Sequence, residues 1–387
     1  MTITEPWERP VVLNLGMGVD SVSLLSRWLH EPDTRGFDFD QLIIVTAMTG
    51  DEHADTADAM TRHILPALRT HRLRYVQLSR AGQSSRAGIT VLDDSRIPTA
   101  MHMRGPWALS DELASSGTLP PVARRACSQR AKGDVIDQWL ANEIAGTRYL
   151  HIKGYRHDEQ RRMLADVRPI TSNRHRDYPL HRWHWHRPRA AAYLQELYHR
   201  TWPRSCCRYC PFQNSSAGSG ELISRWATLP DGAVQSLILE RVALALNPRQ
   251  ALFGKHSAHQ VVAEHHQLQE AAHITERQLD AMPWAVYDVR RIFHPAAGDP
   301  ARKGHAWRSV RRLTTLDRAD ADLALHDYAE TGHIPVIVDE HAIPRAWHHR
   351  AGTVFPALEH YLTTAPALAA DKERSQFART WHQFTGH

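Results

Sequence analysis

Two groups of residues in this chain have the types and spacing to do chemistry. The first is Gly16-Met17-Gly18-Val19-Asp20-Ser21. An apolar run from Val11 to Leu15 enters it, and a helical pattern with Val22, Leu25, Trp28 and Leu29 on its buried side leaves it. A strand that runs through glycines into a helix start presents unpaired backbone N–H groups and the positive end of the helix dipole at one point. Anions bind at such points, phosphates above all. The second group is cysteine. The chain has four, Cys127, Cys206, Cys207 and Cys210, the last three within five positions. Cys207 and Cys210 form Cys-x-x-Cys, a spacing that lets both thiolates reach one metal from a tight turn. Cys127 would be the distant third ligand and Cys206 a fourth. On residue type alone, four thiolates suit structural zinc.

Composition narrows the setting for this chemistry. At 387 residues the chain is long enough for two or three domains with sizeable cores. Its 42% hydrophobic and 23% charged residues are ordinary for a globular protein. It has no apolar run near the roughly 20 residues of a membrane helix, which argues against a membrane partner. The N-terminal stretch, Met1 to Pro10, lacks the basic start and apolar core of a signal peptide, so a cytoplasmic location is expected. In that compartment clustered Cys points to a metal or redox site rather than to disulfides. A formal charge of +5 and a pI near 9.1, with 27 His counted as neutral, are compatible with a polyanionic partner.

The elements that must position these residues alternate. After the first helix, Gln41 to Met48 has the length and apolarity of a strand and ends in Thr49-Gly50-Asp51-Glu52. A helical pattern through Ala59, Met60, Ile64 and Leu65 leads to a third strand at Leu73–Leu78. Residues 80 to 121, rich in Ser, Gly and Pro, read as a long ordered loop or lid. Arg124 to Gln129 leads into a helix with Val135, Ile136, Trp139 and Leu140 at core spacing. A fourth strand, Tyr149–Lys153, delivers Gly154-Tyr155-Arg156-His157-Asp158-Glu159-Gln160-Arg161-Arg162. Strands alternating with helices imply parallel βαβ units with ligands at the C-terminal strand ends, where Gly16–Ser21 and Thr49–Glu52 both fall.

In the first loop the Lys-Ser/Thr ending of a P-loop is absent, and Ser21 stands where a Rossmann fingerprint would place its third glycine. What remains resembles the Ser-Gly-Gly-x-Asp-Ser loop of the PP-loop ATP pyrophosphatases, with two of six positions changed. The strand ending in Gly154-x-Arg156-x-x-Glu159-x-x-Arg162 is similar to the second signature of the phosphoadenylyl-sulfate reductase branch, which also holds the ATP pyrophosphatases of DNA phosphorothioation. Tyr178-Pro179-Leu180-His181-Arg182-Trp183 resembles that branch's Asn-Pro-Leu-x-x-Trp segment. Thr49–Glu52 resembles its Asp-Thr-Gly-x-Glu turn, with Met48 in place of the Asp. The matches run in the family's order over about residues 11 to 215.

The resemblance implies an α/β chain. A doubly wound, parallel-sheet PP-loop domain, adenine nucleotide alpha hydrolase-like, would occupy residues 1–200. A Cys-rich metal segment with a packing helix would follow at 201–255, and an additional α+β region at 256–387. It implies ATP and Mg²⁺ as cofactors, held by Gly16, Met17, Gly18, Asp20, Ser21, Thr49, Gly50, Asp51, Glu52, Gly154, Arg156, Arg161 and Arg162, with Asp20, Ser21 and Arg156 catalytic. Loop amides and Ser21 would hold departing pyrophosphate, and Asp20 would bind magnesium or orient the loop. Arg156 and one of Arg161 or Arg162 would fork onto phosphate oxygens, unless they form surface ion pairs with Asp158 and Glu159. The cysteines would carry a four-iron, four-sulfur cluster rather than zinc, fed by a sulfur donor such as a cysteine desulfurase. The acceptor would be nucleic acid, DNA ahead of tRNA. Self-association is left open.

Two other functions compete. A reductase of adenylylated sulfate, or a small-metabolite thiolation enzyme, shares the nucleotide chemistry, yet the reductase should carry a nucleophilic Cys near the C-terminus, and none follows Cys210. A zinc-stabilised nucleic-acid binder with a degenerate nucleotide site would explain Met17.

Beyond residue 215, Leu237 to Leu244 reads as a buried helix packing under the Cys turn, and His256 to Met282 as helical and His-rich. His265, His266 and His273 lack ligand geometry there. Between Trp284 and Leu313, seven cations (Arg290, Arg291, Arg302, Lys303, Arg308, Arg311, Arg312) face two acids, interleaved with Tyr287, Phe293 and Trp307. Such a stretch either tracks a nucleic-acid backbone or is the solvated face of a helix. Ile334–Val338 and Val354–Leu362 look like a core strand and a core helix.

Overall fold

A computed structural model of the chain describes residues 9–122, 125–166, 173–214 and 219–386. Arg124 and the N-terminal stretch up to Glu8 lie outside the described residues. The chain divides into two compact units, Met1–Leu109 with Arg124–Cys207, and Ser110–Ala123 with Arg208–His387. No helix among the described residues is long and apolar enough to cross a membrane.

The first unit is α/β. Its strands are β1 (Val11–Asn14), β2 (Leu42–Ala47), β3 (Arg74–Arg80), β4 (Ile89–Ser95), β5 (Tyr149–Lys153) and β6 (Arg174–Asp177), in the order β4-β3-β2-β1-β5-β6. All neighbours pair in parallel except β3 and β4. Continuous apolar runs such as Leu42-Ile43-Ile44-Val45 suit this sheet because both its faces are covered. On one face Val11, Leu13, Ile44 and Tyr75 pack with Val22, Leu25 and Trp28 of helix α1 (Val19–His30). On the other, Val12, Val45, Val76 and Leu78 pack with Val135, Ile136, Trp139 and Leu140 of helix α2 (Asp134–Glu143). The alternation of Val11, Val12 and Leu13 between the faces is the period of two that a strand imposes.

Two local expectations change. Helix α1 starts at Val19, so Asp20 and Ser21 belong to its first turn rather than to the loop before it. Part of the expected lid is β4, which lies antiparallel along β3 at the sheet edge. The absence of any buried residue in it and its two aspartates hide it from a search for apolar strands.

The second unit is built on an antiparallel sheet. Its strands are β7 (Trp284–Ala296), β8 (Asp299–Leu316), β9 (Val336–Val338), β10 (Pro344–His349) and β11 (Ala357–Pro366), in the order β8-β7-β11-β10-β9. The basic stretch is therefore the β7–β8 hairpin and not a helix. Helix α3 (Asp231–Leu246) lays Val242, Leu244 and Leu246 on Tyr287, Val289 and Tyr361, so its C-terminal half covers this sheet. Helix α4 (Arg318–Thr331) adds Leu325 and Ala329 over Val286 and Leu362. Helix α5 (Ser375–Thr385) covers Ile292 with Phe377 and Trp381. The stretch expected as a core helix at 354–362 is mostly β11, a central strand whose Tyr361, Leu362, Thr363 and Thr364 are all buried. Tyr and Thr favour a strand, and the apolar spacing there fits either period.

Candidate functional site

The parallel sheet changes direction at β1, which has β2 on one side and β5 on the other. Crevices at such switch points, at the C-terminal strand ends, are where open α/β sheets bind ligands. A cavity of about 580 Å³ lies there, lined by Asn14 to Gly16 after β1, Val45 and Ala47 of β2, and Lys153 to Tyr155 after β5. Gly18, Asp20 and Ser21 line it as well.

The loop's backbone is held from behind. Trp202 donates its Nε1–H to the Met17 carbonyl at 3.0 Å, and the Ser205 hydroxyl donates to the Gly16 carbonyl at 2.5 Å. The Gly16 N–H donates to Ser21 Oγ at 3.0 Å. The first helical bond of α1 runs from the Val22 N–H to the Gly18 carbonyl at 3.0 Å, so the amides of Val19, Asp20 and Ser21 have no acceptor within the helix. Met17 is fully buried with φ +60°, a left-handed conformation that favours glycine. The backbone therefore takes the glycine-type shape despite the Met, at a cost of about 1–2 kcal/mol; the burial of its side chain offsets this.

Gly154 sits where only a glycine fits. A Cβ there would come within 3.1 Å of the Ser21 N and 3.2 Å of its Cα. The end of β5 thus touches the start of α1, which brings Lys153 and Tyr155 beside the loop.

The carboxylates and cations of the site interlock. Asp20 Oδ2 accepts from Arg156 Nη1 at 2.6 Å, while Asp20 Oδ1 is buried and has no partner. Burial raises the Asp20 pKa above its usual value, against the pull of Arg156. Arg156 also binds Asp158 at 3.0 Å and Glu159 at 3.6 Å, and it is not part of the cavity wall. The ion pairs read for it with Asp158 and Glu159 are present. Arg162 does line the wall, paired with Glu159 and stacked over Tyr155 at 5.0 Å; Arg161 is exposed and outside it.

Thr49, Gly50, Asp51 and Glu52 are also outside the wall. Thr49, Asp51 and Glu52 are buried, and Gly50, at φ +87°, leaves no room for a Cβ beside Ala108, at 2.5 Å. Glu52 is 2% exposed, accepts the Thr49 N–H at 3.0 Å and pairs with Lys132 at 2.9 Å. Burial opposes both charges, yet Lys132 holds the Glu52 carboxyl below its usual pKa and Glu52 holds the Lys132 ammonium above its own. Lys132 lines the cavity, so this turn acts on the site through it.

Sequence reasoning missed Lys132, Lys153, Asp166, Arg125 and Asn14, all in the wall. Lys153 binds Asp166 at 2.6 Å, and Tyr178 donates to the other Asp166 oxygen at 3.1 Å. Burial lowers the Lys153 pKa. Asn14 Oδ1 lies 2.9 Å from His151 Nε2 on the adjacent strand; burial, then Lys153 and two arginines, keeps His151 neutral. Lys153 had a signal in its place directly before Gly154. Lys132 had none, because it sits in a π-helical turn, Gln129–Gly133, that no periodicity announces.

Three of the cysteines belong to the first unit and Cys210 to the second. Cys127 lies in the short helix Ala126–Ser128, beside the wall residues Arg125 and Ser128. Cys207 Sγ is 3.3 Å from the Thr49 hydroxyl, and its backbone bridges to Glu52. Among the described residues no group of three or more His, Cys, Asp or Glu side chains is gathered as metal ligands. Compared with known proteins, the chain matches no family model, no curated protein and no solved structure.

Proposed function

We propose that the first unit is a PP-loop ATP pyrophosphatase: it binds ATP in the switch-point cavity and adenylates an acceptor for sulfur insertion. The observation that carries this reading is the coincidence of three features at one place. The Gly16–Ser21 loop with its unpaired amides, the switch point of the parallel sheet and the cations Lys132, Lys153 and Arg162 all border a single cavity. The sheet order orients the ligand. Val45, Ala47 and Ile136 offer an apolar wall on the β2 side for the adenine ring, and Lys153 and Arg162 stand on the β5 side for phosphate.

In the reaction, an acceptor oxygen bonds to the α-phosphorus and the bond to the α–β bridging oxygen breaks. The amides of Val19, Asp20 and Ser21, with Lys153, hold the charge that grows on departing pyrophosphate; they are in place beforehand and need not reorganise. A sulfur nucleophile then displaces AMP. Asp20 does not repel the phosphates, because Arg156 offsets its charge. Its unpartnered Oδ1 fits a magnesium ion, which when bound would screen the phosphate oxygens. The cysteine cluster enters none of these steps. The acceptor is nucleic acid, of the kind modified in DNA phosphorothioation, with tRNA as the second choice; a cysteine desulfurase is the sulfur donor that fits.

Calorimetry with ATP and a pyrophosphate-release assay over DNA and tRNA acceptors test the reading. Gly154→Val should drive the end of β5 off Ser21 and cut pyrophosphate release about a hundredfold, the cost of roughly 1 Å of misplacement at a reacting centre. Absence of ATP binding in the natural chain, or full turnover in the variant, would remove the loop from the chemistry.

A further inference from the structure

We infer that the second unit carries a nucleotide-phosphate site of its own, in the cavity bordered by β7, β8 and the start of α5. The cavity measures about 260 Å³, and its wall holds four cations, Arg291, Arg308, Lys372 and Arg374, with no carboxylate. Trp307 and Phe377 complete it. The inference stands whether or not the first unit adenylates anything.

The charge there is not balanced from within. Arg291 is 7% exposed, and its Nη1 donates to Asn247 at 2.6 Å and to Glu359 at 3.1 Å, but its buried Nε has no partner. Glu359 also accepts from Arg249 at 2.8 Å, so one carboxylate serves two guanidiniums. Arg308 spends its donors on the carbonyls of Gly117 at 3.0 Å, Leu246 at 3.4 Å and Ser116, which fixes it in place while leaving its charge in the cavity. Lys372 and Arg374 have no acid within ion-pair distance among the described residues.

These two are nonetheless held in position. The Lys372 backbone exchanges bonds with Val310 of β8 in both directions, at 2.9 and 2.8 Å. Arg374 is the N-cap of α5, whose first-turn amides add partial positive charge beside it. Burial, then the charges of Arg308 and Arg374, press the Lys372 pKa down. A folded chain that keeps cations together against their repulsion presents a field that an anion relieves.

The aromatics narrow the anion to a nucleotide. Phe377 is buried in the wall against Trp381; Trp307 is half-exposed, meets His294 edge-on at 4.4 Å and His305 at a tilt at 5.8 Å, and is the ring of the wall open to a base. Cations that take a phosphate beside rings that take a base are the arrangement by which single strands are held without sequence preference. The cavity lies just under the usual range for small-molecule pockets, so it takes one nucleotide unit.

The phosphate can come from a strand or from a free mononucleotide, and one experiment separates the two. Full-length chain is titrated into fluorescein-labelled oligothymidylate and followed by anisotropy over a salt series. Binding is expected, with Lys372→Gln/Arg374→Gln weakening it at least tenfold and reducing the salt slope by about 1.4, roughly 0.7 for each lost charge. Trp307→Leu should weaken it about tenfold through the lost stacking. Competition by thymidine monophosphate would assign the site to free nucleotide; its failure to compete would assign it to a strand. Lys372 and Arg374 are both exposed, and a thermal melt of the double variant confirms that it folds. An unchanged affinity in that variant, or equal competition by polyglutamate, would overturn the inference. Gly154→Val separates this outcome from failure of the ATP reading, since it should lose turnover and still bind the oligonucleotide.

Discussion

The two cavities each carry four cations and treat them in opposite ways. In the first, three carboxylates share the wall, and Lys132, Lys153 and Arg162 each have an acid partner, Glu52, Asp166 and Glu159. In the second, no carboxylate lines the wall, and Arg291 shares its only acid with Arg249. Paired cations keep a fixed geometry and exert a weak long-range field, which suits a site that must place reacting atoms. Unpaired cations exert a strong field with less geometric discipline, which suits capture of a polyanion. Removing a paired cation should then hurt the fold in the first unit, and removing Lys372, which has no acid within ion-pair distance among the described residues, should help it in the second.

The largest effect is expected at Lys132. Lys132→Gln leaves Glu52, 2% exposed, as a buried charge without its ammonium. Breaking a buried pair from one side costs 3–5 kcal/mol; with the Lys132 side chain still 25% exposed, about 3 kcal/mol is expected. Thermal unfolding of the first unit reads this, and Lys132→Gln/Glu52→Gln should recover much of it. The pair also has a pH window. Glu52 is held below its usual pKa of 4.5, so its contribution is present above that value and lost as pH falls through the folded pKa. Lys132 is held above 10.5, so its contribution is present below that value and lost as pH rises through the folded pKa. A variant no less stable than the natural chain at pH 7 would show that the first site's pairing does not hold it together.

Much of this arrangement was legible in the sequence, and the reasons are physical. The strands of the parallel sheet announced themselves because burial on both faces forces unbroken apolar runs, as in Leu42–Ala47. Gly16–Ser21 and Gly154 were legible because glycine marks places where backbones approach. Lys132 was not, because a π-turn breaks the helical period. Strand β4 was not, because an edge strand buries so little. The β7–β8 hairpin was read by its charges, which tell nothing of backbone, and Arg308, one of those charges, turns out to cap carbonyls. Which arginine is free for a ligand is settled by tertiary contacts that composition does not record.

A smaller effect tests the neutral part of the first site. His151 is 2% exposed and its pKa is depressed well below 6.5, by burial first and then by Lys153, Arg174 and Arg176. The unfolded chain therefore takes up a proton near pH 6.5 that the folded chain refuses. Stability from this residue is full above pH 6.5 and is lost as pH falls, by up to about 1.4 kcal/mol per pH unit. His151→Gln keeps a donor for Asn14 and removes the titration, so the stability of the natural chain should fall more steeply than the variant's between pH 6.5 and about 5.5, by about 1 kcal/mol. Parallel curves would mean that His151 protonates freely in the fold.

The smallest effect is the most diagnostic, because its sign differs between the two cavities. Lys372 is exposed, faces Arg308 and Arg374, and has its pKa pushed down. A cation held for structure lowers stability when it is removed; one held against repulsion raises it. Lys372→Gln should stabilise the second unit by a few tenths of a kcal/mol, the ordinary range of surface changes, and the gain should shrink as salt screens the neighbouring charges. Oligonucleotide affinity should fall in the same variant. Stability and binding moving in opposite directions on one substitution is the mark of a charge retained for a ligand. A loss of both would make Lys372 part of the scaffold and leave the two cavities alike in how they hold their charge.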